Sequence, residues 1–332
     1  MHLVANENPH LSASLEAWLG EHAPEIRVTW LDADGNAPEP IADADIFFRF
    51  DMRSQALITA LRQMPRLRWL HTGSAGVDTF LSAINENAPA EMIITNGAGA
   101  MARPIAEYVL AQMLNVSKGL YHFARAQTRH EWLGHLPNSE APHAFEVGGA
   151  RVLVLGMGHI GREIAKLCAG VGMRVWGVKR EPPAEAAHSP TLERVFGIDE
   201  DWRGLLPAMD FVVISMPLTD ATNGLISTGE LAAIRSTGWL INIARGAIID
   251  EPALVTALNE QRIGGAVLDV TMTEPLPASH PLWDCPTAII TPHISWRSPA
   301  IEERSMAIFF DNLSRYRAGE PLRNVVSRTA GY

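Results

Sequence analysis

Short runs of β-branched and aliphatic residues alternate, over most of the chain, with stretches whose apolar positions recur every three or four residues. Strands buried on both faces need continuous apolar runs, and helical stretches between them supply crossovers, so the pattern predicts parallel sheets covered by helices. HLVAN, IRVTW, DIFFRF, LRWLHT and MIITN predict the strands of a first unit ending near Asn96. RVLVL, RVWGV, DFVVIS, WLINI, AVLDV and AIITP predict six more, enough for a complete doubly wound sheet. Between the two series, MARPIAEYVLAQMLNVSKGLYHFARAQ reads as one long helix. Pro104 suits its first turn, and Ile105, Val109 and Met113 fall on one face.

The C-terminal stretch bears on domain order. Ser298 and Pro299 read as N-cap and first residue of a helix with Met306, Phe310 and Leu313 on one side, closed by Gly319. Such a tail is too short to fold alone and is expected to pack on the first unit. The second unit then becomes an insertion, with two crossings and a cleft between the lobes. No internal repeat is present, and EPPAEAAHSP reads as a polar loop.

Composition narrows the function classes. The chain has 332 residues, 47% of them apolar and 19% charged, as expected of a soluble globular protein of two domains. A formal net charge of -10 and the lack of a Lys/Arg-rich run argue against nucleic acid as a partner. Cys168 and Cys285 are the only cysteines, and neither belongs to a metal-spaced cluster or a disulfide framework. No metal site is expected, and a reducing cytoplasm fits. MHLVANENPH has no basic region followed by a long apolar stretch, which predicts a protein neither secreted nor held in a membrane.

VLVLGMGHIGREIAKL carries the most specific local chemistry. Gly156, Gly158 and Gly161 form G-x-G-x-x-G between a predicted strand and helix, where the glycines allow a tight turn, close approach of a pyrophosphate and close helix packing. The helix N-terminus offers N–H groups to phosphates. A plain strand-turn-helix or a methyltransferase loop can look similar, but the β-α-β context favours a dinucleotide. The second strand then ends in Val178, Lys179 and Arg180 instead of an acidic residue that would accept from ribose hydroxyls. Two cations there can pair with the 2′-phosphate of NADP. The reading is NADP(H) in preference to NAD(H), with NAD(H) possible; a solvated Lys-Arg turn is the alternative.

SAGVD (74–78), NGAGAMARPIAEYVL (96–110), the glycine turn, INIARGAIIDEPAL (241–254), LDVTMTEPLP (268–277) and TPHIS (291–295) occur in an order that resembles the D-isomer-specific 2-hydroxyacid dehydrogenases over nearly the whole chain. The resemblance implies an α/β fold in which a Rossmann-type, doubly wound nucleotide domain is inserted into a flavodoxin-like substrate domain. The expected limits are 100–290 for the NAD(P)-binding domain and 1–99 plus 291–332 for the substrate domain. It also implies a homodimer joined through the nucleotide domain, and places His159, Ile160, Pro217 and Ala244 with the glycines at the cofactor.

Reduction of a 2-oxoacid needs a cation to hold the carboxylate and polarise the ketone, an acid for the forming alkoxide and a hydride donor. Arg245, at a strand end, offers a planar fork and matches the family's substrate arginine; alone it would read as a surface ion pair. His293 can donate and accept a proton near neutral pH, and Glu274 matches its acidic partner; a solitary strand-end histidine would read as structural. Asp269 matches the position that contacts the nicotinamide carboxamide, or it caps a strand. Ala75, Gly76 and Val77 can present N–H groups to the substrate carboxylate, although turn geometry alone would explain the glycine.

Departures from the family pattern concern the substrate. Thr271 and Met272 replace the aromatic and acidic residues of many relatives, and Trp296 stands where small residues are frequent. Trp296 either borders the substrate pocket or packs. Arg49 and Asp51 are further cleft candidates without a fixed place. The expected activity is NADPH-dependent reduction of glyoxylate, hydroxypyruvate or a larger 2-oxoacid to a D-2-hydroxyacid. A nucleotide-sensing, corepressor-like binding protein on the same fold is the alternative, disfavoured by the joint presence of Arg245, Glu274 and His293.

Overall fold

A computed structural model describes residues 1–134, 144–181, 191–329 and 331, so most of the expected polar loop EPPAEAAHSP lies outside the described residues. The chain divides into Met1–Met101 with Ser298–Tyr332, and Ala102–Arg297.

The first unit runs β1 (His2–Asn6), α1 (Pro9–His22), β2 (Arg27–Leu31), β3 (Ile46–Arg49), α2 (Ser54–Arg62), β4 (Trp69–Thr72), α3 (Leu81–Asn87) and β5 (Ile93–Asn96). Its sheet order is β2-β1-β3-β4-β5 with every pair parallel, the flavodoxin-like order. Ile46, Phe47 and Phe48 of β3 are all buried, as a strand covered on both faces requires.

The second unit runs α4 (Ala102–Ser117), α5 (Leu120–Thr128), β6 (Arg151–Leu155), α6 (His159–Gly170), β7 (Arg174–Lys179), β8 (Arg194–Gly197), β9 (Phe211–Ile214), α7 (Thr228–Ala233), β10 (Trp239–Asn242), α8 (Glu251–Asn259), β11 (Gly265–Leu268) and β12 (Ala288–Ile290). The sheet order β12-β11-β10-β9-β6-β7-β8 is the doubly wound Rossmann order with one further strand, and all pairs are parallel. The C-terminal ends of all seven strands therefore share one edge.

α9 (Ile301–Ala318) belongs to the first unit. Phe309 stacks on Phe48 with ring centroids 4.3 Å apart, and Phe310 stacks on Trp18 of α1 at 4.6 Å. Each such aromatic pair adds about 0.5–1.5 kcal/mol beyond the area it buries.

Four expectations need correction. The long helix breaks at Gly119, whose φ of 64° is left-handed and cheap only for glycine. β8 adds a seventh strand; it is a four-residue edge strand, too short to show a period. The last helix begins at Ile301 after a turn in which Ile301 N–H donates to Ser298 O, and Phe309, not Phe310, joins Met306 and Leu313 in the core. The second crossing falls after Arg297, not at 290/291, because residues 291–295 are tied to the end of β11. Among the described residues no helix is long and apolar enough to cross a membrane.

Candidate functional site

The glycine turn leaves the C-terminal end of β6. Gly156 has φ 107°, and a Cβ there would lie 2.6 Å from Met216 N, so the backbone after β9 passes where any side chain would stand. A Cβ on Gly161 would lie 1.9 Å from Gly156 O, which accounts for the third glycine. Ser215, missed in the sequence, fastens this crossing: its N–H donates to Leu155 O at 2.8 Å and its hydroxyl to Gly156 O at 2.7 Å.

A Cβ on Gly158 would meet nothing within 4 Å, so the N-terminus of α6 opens on free space. The first N–H groups of a helix have no partner within it, and here they belong to His159, Ile160 and Gly161. Partial burial, and then the charge of Arg162, hold the His159 imidazole below the usual histidine value. β7 is the next strand on one side and ends in half-buried Lys179, followed by exposed Arg180. On the other side Pro217 follows β9, its carbonyl accepting from the Thr222 hydroxyl at 2.7 Å. An anion-binding cradle of helix N–H groups with cations beside it fits a phosphorylated dinucleotide.

The acid-base candidates stand on the three strands at the far end of the same edge. After β10, Asn242 is fully buried; its Nδ2 donates to Arg245 O at 2.9 Å and its Oδ1 accepts from Ala244 N–H at 3.0 Å, shaping the turn that carries Arg245. Arg245 is half-buried, with Nη1 donating to Ala244 O at 2.7 Å. Gly246 lies against the loop after β11, where a Cβ would come 2.0 Å from Thr271 C. In that loop Thr271 N–H donates to Glu274 Oε1 at 3.1 Å, and Met272 N–H to Glu251 Oε2 at 3.0 Å, with Glu251 also paired to His280. Close packing at Gly246 thus couples the turn of Arg245 to the loop of Glu274.

His293 follows β12 with φ 54°, and its Nδ1 lies 2.8 Å from Glu274 Oε2. Their side chains are 42% and 39% exposed, so the pair is open to solvent instead of closing a core. Trp296 is tied to the same turn through Nε1–H donating to His293 O at 2.9 Å and is 39% exposed.

Asp269 directly follows β11. It is 1% exposed, and its carboxylate accepts from the Thr291 hydroxyl at 2.6 Å and from Ile294 and Ser295 N–H, each at 2.9 Å. These bonds make Asp269 an anchor of the His293 turn. The side-chain oxygens of Tyr108 and Thr291, residues whose pairing no motif signals, lie 2.6 Å apart. Among the described residues no group of three or more His, Cys, Asp or Glu could hold a metal ion.

The other candidates lie in the first unit, at the C-terminal edge of its own sheet. Ser74 Oγ donates to Gly76 O at 3.0 Å and Asn96 Nδ2 to Ala75 O at 2.8 Å, holding the Ala75–Gly76–Val77 turn, in which Val77 is buried. Arg49 ends β3 and is buried, with Nη1 donating to Thr72 Oγ1 at 3.0 Å, Nη2 to Met52 O at 2.7 Å and its guanidinium 3.9 Å from the Phe80 ring centroid. Burial pulls its pKa down to about 10 against the opposing charge of Asp51.

Residues 110–295 match the family model of the D-isomer specific 2-hydroxyacid dehydrogenase, NAD binding domain. A glyoxylate/hydroxypyruvate reductase B from Pectobacterium carotovorum is 35% identical over 269 residues, covering 80% of this chain and 81% of that protein. An (S)-sulfolactate dehydrogenase from Chromohalobacter salexigens is 32% identical over 77% of this chain and 79% of its own length. Among solved structures, a D-isomer specific 2-hydroxyacid dehydrogenase from Xanthobacter autotrophicus in complex with NADPH and MES superimposes with a TM-score of 0.83 at 28% identity, covering 100% of this chain and 99% of that one.

Proposed function

The chain belongs to the D-isomer specific 2-hydroxyacid dehydrogenase family, NAD(P)-dependent enzymes, and we propose that within it the protein is an NADPH-preferring reductase of 2-oxoacids to D-2-hydroxyacids. The observation that carries this reading is the His293–Glu274 pair at 2.8 Å, exposed on the sheet edge that also bears the glycine turn and Arg245.

A nicotinamide cofactor, when bound, would supply the hydride. Arg245 holds the substrate carboxylate and carbonyl oxygen in one planar fork, drawing charge toward the oxygen that becomes alkoxide. His293, with Nδ1 occupied by Glu274, presents Nε2 and gives its proton to that alkoxide, which completes the alcohol. Glu274 is in turn fixed by Thr271 N–H, so the imidazole plane is set from two sides. The Ala75–Val77 turn offers N–H groups to the substrate carboxylate. Initial rates with NADPH and NADH over a panel of glyoxylate, hydroxypyruvate and larger 2-oxoacids test the reading. Tight NADPH binding without turnover of any panel member would instead make the protein a nucleotide sensor on this fold.

Support for NADPH comes from Lys179 and Arg180 at the end of β7, the position that faces an adenosine ribose in this sheet order. Replacing them with Asp and Pro is expected to shift the NADPH to NADH ratio of kcat/KM toward NADH by at least about tenfold, since one lost charge-assisted hydrogen bond is worth roughly 1.5–3 kcal/mol. An unchanged ratio would leave the pair as a solvated turn.

A further inference from the structure

A buried hydroxyl chain stands behind the His293 turn. Tyr108, on α4, meets Thr291 at 2.6 Å, and the Thr291 hydroxyl donates its one proton to Asp269 Oδ1, also at 2.6 Å. The phenol must then be the donor to Thr291, because a hydroxyl has a single proton to give. Gln112, one turn further along α4, also hydrogen-bonds to the phenol. Asp269 receives, besides Thr291, three consecutive main-chain donors: His293 N–H to its carbonyl at 2.8 Å, and Ile294 and Ser295 N–H to its two carboxylate oxygens at 2.9 Å. These bonds curl the chain around one side chain and hold His293 at φ 54°, in the left-handed region that residues with a Cβ adopt uncommonly.

We propose that Tyr108 is a positioning residue for His293, acting through Thr291 and Asp269 to hold the left-handed turn on which the imidazole stands. The proposal deepens the reductase reading and rests on it. Asp269 is sealed from solvent at 1% exposure, so the orientation of its carboxylate is set by its partners, and among the described residues Thr291 supplies a side-chain donor to it. The Thr291 hydroxyl is aimed by what it receives from Tyr108. Burial foremost, with the nearby Asp269 charge adding to it, pushes the phenol up to about 12, which keeps it a donor throughout the working pH range. Removing the phenol oxygen leaves the fold of α4 and β12 in place and frees the Thr291 hydroxyl to rotate.

The test compares Tyr108→Phe, Thr291→Val, Thr291→Ser and the Tyr108→Phe/Thr291→Val double variant with the wild type. Three readouts are taken: kcat for 2-oxoacid reduction, NADPH affinity by fluorescence titration, and amide hydrogen exchange of residues 293–295. Tyr108→Phe is expected to lower kcat about three- to tenfold, the loss of one ordinary hydrogen bond, with NADPH affinity retained and faster exchange at Ile294 and Ser295. Thr291→Val should lose at least as much, Thr291→Ser should restore the wild-type values, and Tyr108→Phe should add nothing in the Thr291→Val background. Additive losses in the double variant, or unchanged exchange and kcat in Tyr108→Phe, overturn the proposal. If no form turns over any 2-oxoacid while exchange still rises in Tyr108→Phe and Thr291→Val and not in Thr291→Ser, the positioning chain stands and the reductase reading is what fails.

Discussion

His293→Ala is expected to lower kcat for 2-oxoacid reduction by about 10²–10⁴-fold, the usual contribution of a positioned general acid, while NADPH affinity is retained. Nδ1 of this imidazole is engaged by Glu274 at 2.8 Å, which leaves Nε2 as the group that can meet a substrate oxygen. The side chain is 42% exposed, so truncation opens no cavity, and global stability should stay near that of the wild type. Alanine is strained at φ 54°, however, so a second variant is needed. His293→Asn keeps a residue that tolerates the left-handed region but cannot relay a proton. Equal losses in the two variants locate the effect in proton transfer, whereas a loss confined to alanine would trace it to the backbone. Glu274→Gln, which keeps the shape and deletes the charge, should cost less than either, because the acid itself remains. Steady-state reduction alongside NADPH titration separates these outcomes, and a normal kcat in both His293 variants would remove it as the acid.

Much of this arrangement was legible in the sequence because parallel sheets announce themselves chemically. Runs such as FVVI and WLI are apolar throughout, since both faces of those strands are covered, and G-x-G-x-x-G marks a backbone crossing too tight for side chains. Arg245, Glu274 and His293 were named from motif order; what the fold adds is that they follow β10, β11 and β12, three neighbouring strands. Elsewhere periodicity ran out. The stretch from 101 to 127 carries no proline after its first turn to end a helix, and the left-handed backbone at Gly119 divides it. Asp269 shows the other limit. A carboxylate after a strand is the same letter whether or not three donors of a loop 22 to 26 residues later converge on it, as they do here. Tyr108 and Thr291 are 183 residues apart in sequence, so no local pattern could have joined them.

Arg245→Lys should lower kcat/KM for 2-oxoacids by about 10²–10³-fold, the scale set by losing a preorganised donor to a developing oxyanion, even though the positive charge is kept. The backbone at this position is held from three directions: Asn242 Nδ2 reaches Arg245 O at 2.9 Å, Asn242 Oδ1 takes Ala244 N–H at 3.0 Å, and Gly246 is wedged against Thr271. A substituted side chain therefore starts from the same Cα and cannot shift to compensate. Guanidinium offers parallel N–H groups in a plane that can serve a carboxylate and a ketone oxygen together, while an ammonium is a point charge that satisfies one of them well. Arg245→Gln provides the reference without charge. If geometry governs, Lys should lie close to Gln; if charge alone governs, Lys should lie close to the wild type. Binding of NADPH should be unchanged in both, because the glycine turn and the Lys179–Arg180 pair stand on β6 and β7, with β9 between them and β10. Near-normal kcat/KM in a correctly folded Arg245→Lys protein would take this residue out of the site, and with it the cation that the proposed reduction requires.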